Sequence, residues 1–372
     1  MRGLGFKLGG LFGVFLMSVT GQALADGIPI PEVVGSAESD TVTVGTQRAV
    51  LWLRPDAVEL HIEPKFTWKH KGAAWVIPLP ARPEVMIGDS GFMDDLDNFT
   101  KPRFFYLISE SECCYGEDCP LGKGDVNLKG SSEEVVIWDS GSLGNLDYTI
   151  LSAKEGASIE KWLSEHGYNI GSEKVKEKLE TMETSETWFF AARLSKSPKK
   201  GQSIGAIRFI FPPDTWPFYP LALTASGLAE NDHFDVLLWV IDSRPEHKVV
   251  PVPSRFEVID YLNTTSTYPE ALRDNYNATL EVKLNNPHHP INIVLEAGGE
   301  VDSYENFLWE GILLMDSPYI EGELPVFSPT SPLSKEALKE GNYIARYRMR
   351  VFPSLKNDVE WKYEPGWKGV QC

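Results

Sequence analysis

The side chains best suited to chemistry in this chain are acids and histidines, and they gather in two places. Asp89, Asp94, Asp95 and Asp97 crowd into nine residues. A hard cation such as Ca²⁺ takes several carboxylate oxygens, which makes Asp94 and Asp97 candidate metal ligands. The D-x-[DN]-x-[DN]-G loop is absent, however, and on a helix these acids point in different directions. The plainer expectation is Asp89 capping a short helix whose other acids are solvated. The second gathering is Asp232, His233, Asp235 and Asp242, with Arg244 and His247 beyond. An acid–His–acid cluster can move protons or hold a metal. In a strand, His233 and Asp235 share a face. The competing expectation is a polar loop leading into a strand. His288-His289 lies between Pro287 and Pro290 and reads as an exposed turn. The G-x-S-x-G elbow, the H-E-x-x-H helix and the G-x-x-x-x-G-K-[ST] loop are all missing, and no cofactor is implied.

Aromatic residues offer a different chemistry. Trp68, Trp75, Trp216, Phe218 and Tyr219 sit in or beside proline-rich stretches. Exposed rings of this kind stack on sugars or dock a partner peptide, whereas buried ones serve the core. The four cysteines are Cys113, Cys114, Cys119 and Cys372. Their meaning depends on compartment, and the first 25 residues bear on that. Arg2 and Lys7 precede an apolar run, Leu8 to Val19, and Ala23-Leu24-Ala25 follows. This is the pattern of a cleavable export signal, with the cut expected between Ala25 and Asp26. The run is short for a membrane span of ~30 Å. An exported chain meets an oxidising compartment, where an even cysteine count suggests disulfides. The expected pairing joins Cys372 to Cys113 or Cys114, the other of these bonding Cys119. The C-C-x4-C spacing lacks the knuckle usual for zinc.

These residues need elements to position them. Alternating stretches from Thr41 to Phe66 read as strands, with Arg54-Pro55-Asp56 as a turn. In AAWVIPLPARPEV (Ala73 to Val85) the prolines remove ladder donors, so the segment is expected at a sheet edge or outside the sheet after Val76. A short helix follows, with Phe92 and Leu96 on one face, ending at Lys101-Pro102. Strands are expected at Val135 to Trp138 and Tyr148 to Leu151. Two helices then follow, the first near Ala157 to His166, closed by Gly167, and the second starting at Ser172. TWFFAARL, AIRFIF, DVLLWVID, TLEVKL, INIVLEA and YIARYRMRVF read as strands, and helices are expected around Tyr304 to Leu314 and Lys335 to Lys339. VIPLPARPEV at Val76 to Val85 is echoed by VVPVPSRFEV at Val249 to Val258, six of ten positions being identical. Either the chain contains a duplication or two strands leave a sheet through prolines in the same way.

The formal charge of −18 argues against nucleic acid and anionic lipid as partners. An apolar content of 42% with 11 Trp argues for a packed core rather than disorder.

Four stretches carry a family resemblance: AAWVIPLPARPEVMIGDSGFMDDLDNFTKPRF; YTILSAKEGASIEKWLSEHGYNI; WFFAARL with IRFIFPPDTWPFYPLAL; and GNYIARYRMRVF. Together they resemble a bacterial exported family known as domain of unknown function 2330, in order from about residue 40 to about residue 350. The resemblance implies export and a single shared architecture, and it carries no catalytic residues.

The expected fold is α+β, mainly antiparallel sheet arranged like a sandwich, with a few short helices on the sheet faces. Residues 1–25 are the expected signal peptide, 26–245 an N-terminal α+β region and 246–372 a C-terminal one, unless the two are continuous. The expected function is a non-catalytic binding or structural-interaction protein of the cell envelope, periplasmic or extracellular. Its ligand would be a protein or a carbohydrate, and no membrane anchor would remain after signal cleavage. The alternative is a periplasmic hydrolase that uses carboxylates.

Overall fold

The computed structural model describes residues 28–31, 43–44, 46–64, 66–67, 73–101, 140–143, 146–152, 159–168, 170, 172–183, 187–194, 205–244, 249–252, 256–259, 269–301 and 328–363. In chain order the first strands are β1 (Ile28–Pro31), β2 (Thr43–Val44), β3 (Gln47–Leu53), β4 (Val58–Glu63), β5 (Phe66–Thr67), β6 (Ala73–Leu79) and β7 (Glu84–Ile87). Helix α1 (Ser90–Thr100) follows, then β8 (Ser140–Leu143), β9 (Leu146–Ser152), α2 (Ile159–Glu165), α3 (Glu173–Glu183), β10 (Trp188–Leu194), β11 (Ile207–Phe211) and β12 (Phe218–Tyr219). The remainder is α4 (Ala222–Ser226), β13 (Phe234–Asp242), β14 (Val249–Val252), β15 (Glu257–Val258), α5 (Pro269–Leu284), β16 (Ile291–Glu300), α6 (Pro332–Ala337), β17 (Tyr343–Val351) and β18 (Val359–Tyr363).

Two large sheets stack face to face. One has eight strands in the order β15-β16-β17-β13-β3-β4-β11-β7, the other five in the order β1-β6-β10-β9-β8. A three-stranded sheet, β12-β18-β14, and the pair β2-β5 accompany them. Pairing is antiparallel except at β13 with β3 and at β15 with β16. The eight-stranded sheet takes strands from both sides of residue 245.

Strand periodicity builds the layers. Odd-numbered residues of β3 (Ala49, Leu51, Leu53) and even-numbered residues of β4 (Val58, Leu60, Ile62) face the inter-sheet core, where they meet Trp75, Ile77 and Phe190 of the five-stranded sheet. The opposite face of the five-stranded sheet is covered by α2, α3 and α4 through Ile159, Leu163, Val175, Leu179 and Leu223. The outer face of the eight-stranded sheet is covered by α1 and α6 through Phe92, Met93, Leu96, Phe99 and Ala337, packed on Val50, Trp52 and Trp239. Helix α5 lies on β16, with Tyr276, Leu280 and Leu284 against Ile259 and Val294. The result is helices, sheet, sheet, helices. The α+β sandwich with helices on its faces is therefore the observed fold. Among the described residues no helix is long and apolar enough to cross a membrane.

Local expectations fare unevenly. The turn between β3 and β4 is closed by Arg54 N donating to Ala57 O at 2.9 Å. Gly167 ends the turn after α2 with φ +82°, a left-handed conformation that glycine adopts without a Cβ clash. TLEVKL is not a strand but the last turns of α5. Its alternation of apolar and polar residues mimics a strand, but the four-residue spacing of Tyr276, Leu280 and Leu284 gives the buried face, and Val282 is 77% exposed. Strand β6 continues past Val76 to Leu79 with Pro78 inside it. Pro78 is tolerated because the register with β1 ends at Ile28↔Val76, so beyond that pair β6 is bonded only to β10. The two echoing segments occupy different positions. β6 lies inside the five-stranded sheet and β14 at an edge of the three-stranded one. β7 and β15 close opposite edges of the eight-stranded sheet, one antiparallel and one parallel to its neighbour. The echo is thus a repeated local device, a proline-bearing strand passing to a second sheet, and not two equivalent units. The strand at 135–138 and the helix at 304–314 lie outside the described residues.

Candidate functional site

The side chains with chemical potential concentrate on the outer face of the eight-stranded sheet, beneath α1, α5 and α6. Alternation in β4 puts Val58, Leu60 and Ile62 inward and Glu59, His61 and Glu63 outward, yet all six residues are buried. β17 repeats the device, with Arg346, Arg348 and Arg350 on the outer face. A polar row on a buried face must be paired, because an isolated charge out of water is costly.

Each row finds its counter-charges far away in sequence. Arg208, opposite His61 in register, grips Glu59 with both arms: Nε donates to Oε2 at 2.9 Å and Nη2 to Oε1 at 2.7 Å. Arg54 Nη1 lies 3.4 Å from the same Oε1. His61 Nε2 is 2.9 Å from Glu59 Oε2. Burial alone would push the Glu59 carboxyl up, but the hydrogen bonds from His61 and Arg208, with the Arg208 charge, hold it down at about 2. Burial depresses His61 despite the bond to Glu59. One step along, Arg48 Nε donates to Glu63 and its Nη1 to Asp94 at 2.6 Å.

On β17, Arg346 donates through Nε to Glu296 Oε2 at 2.7 Å and through Nη1 to Asp97 Oδ1 at 2.7 Å. Its guanidinium carbon stands 5.5 Å from the centre of the Trp239 ring. Arg348 Nε shares Glu296 Oε2 at 3.0 Å, and Tyr276 Oη donates to Glu296 Oε1. Arg350 takes Asp235 in a fork, at 2.7 and 2.8 Å, and also binds Glu281. That fork, followed by Glu281, raises the Arg350 pKa against the opposing effect of burial.

The residues singled out from sequence fall within this scheme or outside it. Asp89 caps α1, accepting from Gly91 N at 2.9 Å, as its position suggested. Asp95 is not solvated: it is buried and accepts from the backbone N–H groups of Thr330 and Ser331 at 2.8 and 2.9 Å. Asp94 and Asp97 point to different arginines, Arg48 and Arg346. His233 is exposed, 6.1 Å from the Phe352 ring, while Asp235 is committed to Arg350. Asp242 binds Arg244 in a fork at 2.9 and 2.8 Å. Among the described residues no cluster of three or more His, Cys, Asp or Glu could hold a metal ion. Trp75 and Tyr219 are not surface residues: both are 0% exposed in the inter-sheet core, where Trp75 meets Phe190 edge-on at 5.7 Å. Trp216 is 55% exposed. Trp68, His247, Cys113, Cys114, Cys119 and Cys372 lie outside the described residues.

Glu59, His61, Arg208, Glu296 and Arg346 were missed by sequence reasoning. For Glu59, His61 and Arg346 the signal was present in VELHIE and RYRMR, where charges alternate inside strands that also look buried.

Residues 32–258 match a family described as an uncharacterised protein conserved in bacteria, DUF2330. The chain belongs to this family. The matched range takes in Glu59, His61 and Arg208 and stops before Glu296 and Arg346. No curated protein matches the chain. Among solved structures, it is similar to baculovirus P35, with 9% identity and a TM-score of 0.38, over 86% of this chain and 96% of that one. The caspase-8/P35 complex gives 9% identity and a TM-score of 0.32, over 88% and 95%. At that distance the likeness bears on neither site nor activity.

Two surface features complete the picture. Trp216 stands on a turn closed by Thr215 N donating to Pro212 O at 3.0 Å and anchored by Trp361 N donating to Pro217 O at 3.0 Å. On α5, a shallow groove of about 440 Å³ is lined by Ala278, Thr279, Val282, Lys283 and Asn286, with Glu257 of β15 at its side.

Proposed function

We propose that this protein is an exported, non-catalytic binding protein of the cell envelope, and that it contacts a neutral carbohydrate through the Trp216 turn. Several features support the reading. The leader-like pattern of residues 1–25 supports export. Among the described residues, the acids best placed for chemistry are engaged as struts: Asp94, Asp97 and Asp235 pair with arginines, and Glu59 and Glu296 are 2% and 3% exposed. The cysteines, in an exported chain, would be disulfide-bonded.

The observation that carries the reading is the exposure of Trp216. A tryptophan held out at 55% exposure on a turn fixed at both ends presents its ring with little ordering cost. Its exposed neighbour Asp214 supplies acceptor oxygens for sugar hydroxyls. A protein partner would want about 800 Å² of complementary surface on this side. Among the described residues the other large exposed apolar side chain near β11, Ile87, pairs with Ile207 at the opposite end of that strand. One isolated ring beside polar groups suits a sugar face better than a protein interface.

The test is calorimetric titration of the protein with neutral hexasaccharides of glucose and of N-acetylglucosamine and with soluble peptidoglycan fragments. At least one should bind, and Trp216→Ala should weaken it about tenfold or more with an unchanged circular dichroism spectrum. Absence of binding to all three, or equal binding by the variant, would overturn the carbohydrate assignment.

A further inference from the structure

Glu59 and His61 are not needed for the surface reading above, and their arrangement does more than hold charge. His61 is 1% exposed and lies in the middle of the outward row of β4. Its Nε2 faces Glu59, whereas its Nδ1 has no hydrogen-bond partner. Because Glu59 is ionised, Nε2 must carry the hydrogen, which leaves Nδ1 as a bare lone pair. The described elements packed around the ring are these. Its own strand contributes Glu59 and, one step beyond, Glu63, which is held by Arg48. β11 contributes Arg208, the turn after β3 contributes Arg54, and β3 itself places the apolar Val50 opposite. The start of α1 contributes Asp89 and the ring of Phe92, which meets the imidazole edge-on at 5.2 Å.

We infer that His61 is an acid-sensitive latch: protonation of its Nδ1 loosens α1 and the 328–331 segment from the outer face of the sheet. Adding that proton creates a buried N–H with no acceptor, beside the guanidinium that already neutralises Glu59. Such a donor costs more than the bare lone pair it replaces. The Phe92 ring packs edge-on against the imidazole, so opening a path for water to the ring displaces it. Phe92 belongs to α1, which is tied to the 328–331 segment through Asp89 with Ser331 and through Asp95 with Thr330 and Ser331. These contacts therefore move together. The inter-sheet core, on the other face of β4, is untouched by the event.

The sign follows from linkage. Burial depresses His61 in the folded chain below its unfolded value near 6.5. Below that pH the opened state binds the proton more readily, so the closed state loses ground as pH falls. Glu59, depressed on folding, acts in the same direction only below about pH 5.

Hydrogen exchange read by mass spectrometry on the full chain, corrected for intrinsic rates, tests the latch. Between about pH 7 and pH 5, peptides spanning residues 84–101 should exchange about tenfold faster relative to those spanning β10. His61→Gln, which keeps a donor toward Glu59 and cannot titrate, should abolish that difference. Carbon-13 shifts of the labelled histidine provide a check on the parent protein alone. They should report a neutral ring with hydrogen on Nε2 at pH 6, where a free histidine is mostly charged. An imidazolium at that pH, or an equal pH response in parent and His61→Gln, would overturn the proposal.

Discussion

Ser331 Oγ donates to Asp89 Oδ2 at 2.6 Å, so that the N-caps of α6 and α1, 242 residues apart, are joined by one hydrogen bond. Asp89 also accepts from Gly91 N, and Ser331 Oγ accepts from Leu333 N at 3.1 Å. The two helices that roof the outer face are therefore capped and tied by the same pair of side chains. Ser331→Ala removes the α6 cap and the tie together. The expected cost is about 1–2 kcal/mol in urea unfolding monitored by circular dichroism. Asp95→Ala should cost at least as much, because it orphans the N–H groups of Thr330 and Ser331 beneath the roof.

The Glu296 site should be less forgiving. Arg346 and Glu296 are both nearly fully buried, with side chains 2% and 1% exposed. Replacing Glu296 by Leu leaves the Arg346 charge beside the half-exposed Asp97 and removes the carboxylate to which Tyr276 Oη donates. The expected loss is about 3–5 kcal/mol, nearly independent of salt, again read by urea unfolding.

Acid stability should carry the signature of Glu59. Its folded pKa of about 2 lies below the unfolded carboxylate value. A group depressed on folding contributes stability that is fully present above the unfolded pKa and is lost as pH falls toward the folded one. The urea midpoint should therefore fall between about pH 5 and pH 2. Glu59→Gln should start from a lower midpoint and change less across that window. A variant with the same slope as the parent would show that other carboxylates dominate the acid limb.

Trp75 and Trp216, two of the three tryptophans singled out together from the sequence, should behave oppositely. Trp75→Ala empties a site in the inter-sheet core and should cost about 3–5 kcal/mol. Trp216→Ala removes an exposed ring and should stay within about 0.5 kcal/mol. Thermal melts of the two variants side by side decide the matter.

The export proposal predicts a mature N-terminus at Asp26 and, in the denatured unreduced protein, no titratable thiol from the four cysteines. N-terminal sequencing and a thiol assay on the recovered protein read both. Met1 on a protein from the cytoplasm would defeat the first, and four free thiols the second.

The sandwich was legible because strand signals are local: IRFIF and YIARYRMRVF alternate, and TWFFAARL and DVLLWVID are short apolar runs rich in aromatic or β-branched residues. The helix end at TLEVKL was not, since six residues satisfy both periods and only Tyr276, upstream, and the Val294 surface decide between them. The ionic row was hidden for a related reason. Glu59 and His61 read as a solvent face until α1 is known to cover it, and Arg208 is 149 positions away from Glu59. The aromatics divided on burial, which depends on what packs above each ring: Trp75 and Trp216 both flank prolines, and only tertiary packing separates them.

The order of the eight-stranded sheet constrains how the chain can be made. β3 lies parallel to β13, and β13 lies against β17, so the sheet's centre joins residues near 50, 240 and 345. During synthesis, or during threading through a translocation pore, β3 and β4 emerge first and must wait for almost the whole chain before the sheet is complete. Until β13 emerges, a strand as apolar as Ala49–Leu53 has no lateral neighbour on that side, and β13 then waits in turn for β17. Unpaired edges of that kind pair readily with other chains. A ribosome that stalls before Tyr343 would release a product with β13 unpaired on one side and prone to self-association.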